Sequence, residues 1–158
     1  DTIITSPTPT IISLSPPSQS LTGKLTEVLG TIERIPWDIT SHVPATAGAV
    51  LYQGDEILTL PTSQATITIP NSLTCTMEEK TQIVLTNLLP KSITVQQRNG
   101  TFACMSQDVF NLRIPGALLE LSQSTVQSVI TPEEITIRIA SGKGKLGFVD
   151  NENQLQLF

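Results

Sequence analysis

The chain has 158 residues, 39% of them apolar and only 15% charged, so it is long enough for one domain with a substantial hydrophobic core. Its formal net charge is −5 and its nine basic residues are scattered, which excludes the basic stripe that nucleic-acid binding requires. Ser and Thr replace the missing charges, and together with 11 prolines they favour a secreted or cell-envelope β-protein over a cytosolic enzyme.

Residues 1–22 are rich in Ser, Thr and Pro, and we expect them to form an extended or disordered linker. Four prolines among the first 17 residues remove backbone donors and fix φ. Two apolar pairs, Ile3-Ile4 and Ile11-Ile12, leave room for part of the segment to add to a sheet edge. The chain begins at Asp1 without an apolar leader, which indicates a mature product or an excised piece. We therefore expect membrane attachment only through an anchor absent from this chain.

From residue 23 to residue 158 the apolar residues recur with a period of two, which is typical of half-buried strands. The alternation is clear in ATITIP at 65–70 and in LTCTM at 73–77, and it is clearest in ITIRI at 135–139. Few segments show a helical pattern. The sequence predicts a single all-β domain over 23–158, with about ten to twelve short strands in a sandwich or a stacked, short-solenoid-like arrangement and little helix.

Several turns are marked by glycine, which adopts positive φ without steric cost. In the run AGAVLYQGDEILTL at 47–60, Gly54 and Asp55 form a Gly-Asp turn, in which the carboxylate can accept backbone N–H groups and pin two strands together. The same structural role is predicted for Gly48. Asn99 and Gly100 give the strongest hairpin signal in the chain.

The chain has two cysteines, Cys75 and Cys104, which are 29 residues apart. Metal sites built from cysteine usually contain closely spaced pairs, which this spacing does not supply. The favoured interpretation is two buried thiols that act as small hydrophobic residues. A disulfide is the alternative, and an oxidising compartment would favour it.

No motif in the sequence predicts catalysis, a cofactor or a metal. His42 is the only histidine, and the chain contains no nucleophile elbow, zinc-protease or phosphate-loop pattern. Adjacent carboxylates such as Asp55-Glu56 point to opposite faces of a strand and make poor acid–base partners. A hydrolase would need two carboxylates assembled from distant strands, which leave no local signature. The sequence therefore predicts a protein that is not an enzyme.

Trp37 lies in the loop PWDITSHVP and has two interpretations. A tryptophan exposed in a loop is a natural anchor for a protein partner. The favoured interpretation is that its ring fills the end of the hydrophobic core.

The order of these motifs resembles the FecR-like domain. GTIERIPW at 30–37, ATAGAVLYQGDEILT at 45–59 and SQATITIPN at 63–71 are similar to the family's opening strand with its Trp loop, its Gly-Asp turn and the strands that follow. NGTFAC at 99–104, NLRIPGALLEL at 111–121 and EITIRIASGKGKLGF at 134–148 resemble its second half. The resemblance implies an all-β extracytoplasmic domain of a bacterial-type envelope, periplasmic or at the cell surface.

In its best-known setting the FecR-like domain belongs to a transmembrane regulator that relays siderophore occupancy from an outer-membrane transporter to a sigma factor. The leading hypothesis is thus a non-enzymatic extracytoplasmic interaction or signalling module with an unknown protein partner in the cell envelope. The alternative is a β-domain that binds carbohydrate or a cell-wall polymer. A hydrolase with dispersed carboxylates is the third hypothesis.

Overall fold

A computed structural model describes residues 20–149 and the short strand 155–157. The described residues form strands joined by turns, with no helix among them. The strands are β1 (Gly23–Leu29), β2 (Ile32–Ile35), β3 (Val43–Ala45), β4 (Val50–Leu51), β5 (Glu56–Thr59), β6 (Gln64–Ile69), β7 (Leu73–Met77), β8 (Gln82–Leu89), β9 (Ser92–Ser106), β10 (Phe110–Ile114), β11 (Ala117–Ile130), β12 (Ile135–Val149) and β13 (Leu155–Leu157).

All of these strands belong to one curled sheet that forms a half-barrel, and the predicted all-β class is confirmed. One half of the sheet runs β4-β1-β6-β7 and then includes parts of β9, β11 and β12. The other half runs β3-β2-β5-β8 and continues through β9, β10, β11, β12 and β13. Every pairing is antiparallel except that of β9 with β10.

Three strands are long, and they connect the two halves. The first part of β9 pairs with β8 and β10, whereas its second part pairs with β7 and β11. Each long strand contains a residue with positive φ: Gly100 in β9 and Gln123 in β11 lie where the strand changes partner, and Gly142 in β12 lies where its register with β11 shifts. These residues let each strand bend from one half of the sheet into the other.

The hairpin predicted at Asn99 and Gly100 is wrong, because both residues lie inside the continuous strand β9. Gly100 has the predicted positive φ, 86°, but the glycine produces a bend within the strand. A Cβ atom at this position would lie 2.3 Å from Thr81 Oγ1, so Gly100 is also needed for the close approach of Thr81. The sequence pattern thus predicted the φ angle correctly, but the pairing of β9 makes this residue a bend within a strand and not a hairpin turn.

The two halves of the sheet enclose one hydrophobic core. Residues that alternate along β6 and β7, such as Ile67 and Cys75, are buried together with Ile57, Leu85 and Val95 from the other half. The core extends to the start of the described chain, where Leu21 packs against it and donates its backbone N–H to Leu88 O at 2.6 Å. Most of the predicted linker, residues 1–19, lies outside the described residues, and its boundary at residue 22 stays a prediction.

Cys75 and Cys104 form a disulfide, so the favoured interpretation of two free thiols is wrong. The two residues are directly opposite each other on β7 and β9, with their Cα atoms 4.1 Å apart. This pairing could not be read from a spacing of 29 residues, because it depends on the register of two strands that are separated in sequence by β8. The disulfide is compatible with an oxidising compartment.

We expect reduction of this disulfide to lower the free energy of unfolding by about 3 kcal/mol, because a cross-link across 29 residues restricts the unfolded chain. Urea unfolding with and without a thiol reductant measures this difference. The Cys75→Ala/Cys104→Ala variant is the control and should not respond to the reductant. Equal stability of the oxidised and reduced wild-type protein would contradict the expectation.

Candidate functional site

The carboxylate of Asp55 is fully buried in the turn before β5. Its Oδ2 atom accepts the backbone N–H of Tyr52 at 2.9 Å, and its Oδ1 atom accepts the backbone N–H of Trp37 at 3.0 Å. Arg34 Nη1 lies 3.8 Å from Oδ2. One side chain thus connects the Trp37 loop, the turn that follows β4 and strand β2.

Backbone hydrogen bonds attach the same turn to β8. Gly54 donates to Leu85 O at 2.7 Å, and Leu85 in turn donates to Asp55 O at 2.9 Å. Gly54 has φ = 92°, and a Cβ atom there would lie 2.8 Å from the Cβ of Trp37. Through these contacts the Gly54–Asp55 turn connects the Trp37 loop with β8, as expected for a structural turn. Gly48, the other turn glycine of this region, has φ = 90° and donates to Leu25 O.

Burial raises the pKa of the Asp55 carboxyl above its ordinary value of 3.8. The hydrogen bonds from Tyr52 and Trp37 and the charge of Arg34 act in the opposite direction, and Asp38 adds a smaller increase. The net direction is upward, because removal of the carboxylate from water outweighs its three favourable contacts.

Replacing Asp55 with Asn should lower the free energy of unfolding at pH 7 by about 1–2 kcal/mol, because the amide keeps one acceptor oxygen and loses the other. A carboxyl whose native pKa is raised binds its proton more tightly when the protein is folded. The contribution of Asp55 to stability therefore falls as the pH rises from 3.8 through the native pKa.

The measurement is urea unfolding of wild type and Asp55→Asn over that pH range. We expect the stability advantage of the wild type to be largest at the acid end and to decrease as the pH rises. An advantage that grows with pH would show that the hydrogen bonds, and not burial, dominate the titration of Asp55.

Around this turn, apolar and aromatic side chains are exposed beside an arginine. Tyr52 is 43% exposed and Val50 is 37% exposed, and both line a shallow depression together with Arg34. Arg34 Nη1 donates to Val50 O at 2.7 Å, which holds the guanidinium against the rim. We call this region the Tyr52 surface; its lining residues are Arg34, Pro44, Ala45, Thr46, Ala49, Val50 and Tyr52.

Trp37 donates its backbone N–H to the other oxygen of the Asp55 carboxylate, and the residue is half-buried. Its backbone position is fixed by Asp55 and its Cβ by contact with Gly54. Two residues further on, Ile39 is 45% exposed. The tryptophan is thus neither enclosed in the core nor freely exposed, and its role in partner contact stays a prediction.

His42 and Glu56 are each held in a separate side-chain pair. His42 Nδ1 lies 2.9 Å from Glu33 Oε2 at an exposed position, and Glu56 forms an ion pair with Arg98 at 2.9 Å. Within residues 20–149, no three His, Cys, Asp or Glu side chains are grouped so that they could hold a metal ion. The part of the chain that the structure describes also contains no helix long and apolar enough to cross a membrane.

The sequence reasoning missed the Tyr52 surface, although one signal was present. Leu51 and Tyr52 precede the Gly-Asp turn, and the alternation that buries Leu51 directs Tyr52 outward. Arg34 could not be assigned to the same place, because only the pairing of β2 with β5 brings it there.

No protein-family model matches this chain, and no curated protein or solved structure matches it at a significant level. The geometry of the described residues therefore carries the functional argument.

Proposed function

We propose that this protein is a non-enzymatic extracytoplasmic interaction or signalling module that resembles the FecR domain and binds a protein partner of the cell envelope. The observation that carries the proposal is the Tyr52 surface, in which an exposed tyrosine, an arginine and apolar residues surround a shallow depression. Tyrosine, tryptophan and arginine are the residues that contribute most often to the binding energy of protein interfaces.

The rigidity of the surface supports the same proposal. The backbone N–H groups of Tyr52 and Trp37 are held by one buried carboxylate, and Arg34 is held by Val50 O. A surface that is already ordered loses little conformational entropy when it binds a partner. The disulfide between β7 and β9 supports an oxidising location, such as the periplasm or the cell surface.

Site-specific photo-crosslinking tests this function. A photoreactive phenylalanine analogue at position 52 should crosslink to a discrete partner in the native envelope, and the Arg34→Glu change should reduce the yield several-fold because it reverses the charge of the rim. Thr74 is the matched control, since it is exposed on β7 in the other half of the sheet. Equal products from positions 52 and 74, or no product from position 52, would contradict the proposal.

A carbohydrate or cell-wall polymer is the second candidate ligand, and the exposed ring of Tyr52 beside Arg34 is the observation that favours it. Aromatic rings pack against the apolar faces of sugars, and guanidinium groups donate to hydroxyl and carboxylate oxygens. Binding to purified peptidoglycan fragments that is lost in Tyr52→Ala, together with no protein crosslink, would select this candidate.

A further inference from the structure

Among the described residues, the first half of β12 has a neighbouring strand on one side only and forms an open edge of the sheet. Residues 135–141 pair with β11 on one side, whereas β13 pairs only with residues 147–149 on the other side. Among the described strands, β3, β4 and β13 are short edges of two or three residues, and β3 includes Pro44. The end of β1 is also unpaired on the side away from β6, because β4 pairs only with Gly23 and Lys24. Short strands and prolines are how proteins usually protect sheet edges, and the start of β12 has neither.

The hydrogen bonds of the β11–β12 hairpin show which backbone groups face this edge. Thr131 donates its backbone N–H to Glu134 O at 3.0 Å, so these two residues form a hydrogen-bonded pair. In an antiparallel ladder such pairs alternate with non-hydrogen-bonded ones. The register therefore directs the N–H and C=O groups of Thr136 and Arg138 toward β11, and those of Ile135, Ile137 and Ile139 toward the open edge.

The same three isoleucines leave apolar surface uncovered. They are opposite Ile130, Ser128 and Val126 of β11, which are all buried. Ile135 is nevertheless 40% exposed and Ile139 is 41% exposed. Free backbone groups and exposed β-branched side chains thus occur on one segment, which is the combination that accepts an added strand.

The segment at the start of β12 carries charges of both signs, which makes it complementary to a second copy of itself. Glu134 and Arg138 are both exposed, and the ion pairs of the described residues involve neither of them. If a second copy pairs antiparallel with Thr136 opposite its own counterpart, Glu134 of each copy lies opposite Arg138 of the other. These are non-hydrogen-bonded positions, where side chains approach most closely. The same register places Ile135 opposite Ile137, both with edge-directed backbone groups.

We propose that β12 pairs with β12 of a second copy of this chain in this register and joins the two sheets into one. The interface contains two Glu134–Arg138 pairs and a continuous row of isoleucines on one face. It shares no residue with the Tyr52 surface.

The N-terminal segment of the same chain is the other candidate for pairing with the edge of β12, because it contains the apolar pairs Ile3-Ile4 and Ile11-Ile12. Residues 1–19 contain a single charged side chain, Asp1, and no basic residue that could pair with Glu134. Only the second copy satisfies both charges.

Sedimentation equilibrium of the full oxidised chain tests the proposal. The wild-type protein should form a dimer at micromolar concentrations. Arg138→Glu and Glu134→Arg should each raise the dimer dissociation constant about tenfold or more, because each change places like charges opposite each other twice. The double variant Glu134→Arg/Arg138→Glu should restore the dimer, since its pairs are attractive again.

Lys143→Glu is the matched control for Arg138→Glu, because it makes the same change in net charge on the other half of β12, where its partner in register is the uncharged Ser122 of β11. It should leave the dissociation constant unchanged, and unchanged circular dichroism of all variants shows that they fold. Wild-type protein that is still monomeric at roughly 200 μM, far above the micromolar range in which the dimer should form, would overturn the proposal. A dimer that is insensitive to the single reversals, or that the double variant does not restore, would overturn it as well.

Discussion

The buried carboxylate of Asp55 is the interaction on which the order of this region depends. Two partly buried backbone N–H groups from different turns would lose their acceptors if that side chain were absent, and the loss of a hydrogen bond of this kind costs about 1 kcal/mol. The carboxylate thus determines where Trp37 and Tyr52 lie relative to each other. The cost of burying it is visible in the raised pKa of Asp55. The Tyr52 surface therefore takes its shape from a residue that a binding partner would not contact.

A second constraint is the bending of the three long strands. At two of the three bends, in β9 and β11, a buried side chain donates hydrogen bonds to backbone carbonyls. At the bend of β9, the fully buried Gln97 donates through Nε2 to Gly100 O at 2.8 Å and to Ser128 O at 3.1 Å. At the bend of β11, Ser124 donates through Oγ to Lys143 O at 2.8 Å. Each of these side chains thus connects the bent strand to a neighbouring strand, β9 to β11 and β11 to β12.

The sequence predicted those parts of the fold that depend on neighbouring residues. Alternation along β6, β7 and β12 is local, because a period of two follows from the geometry of a single strand. The positive φ of Gly54 and Gly100 also depends on neighbouring residues only, because glycine adopts positive φ without steric cost. The hairpin at Asn99 was wrong because a bend and a hairpin share the same local signal, and only the pairing of β9 with β7 and β8 on its two parts distinguishes them.

The candidate site was harder to predict from the sequence. Arg34 and Tyr52 are 18 positions apart and meet only through the pairing of β2 with β5 and the turn that Asp55 organises. The disulfide likewise required the register of β7 against β9. The exposure of Ile135 and Ile139 could not be seen in a pattern that predicts a buried face, because alternation does not reveal whether a second layer covers that face.

The cross-strand disulfide also determines how the domain would respond to a mechanical load. Between Cys75 and Cys104 lie all of β8 and most of β9, so a force applied to the two ends of the chain cannot extend these residues. At about 3.5 Å per residue, the closed loop of 29 residues withholds roughly 100 Å of contour length from a stretched chain. An oxidised domain under tension would therefore lengthen far less than its sequence allows, and reduction would release that length as a separate step.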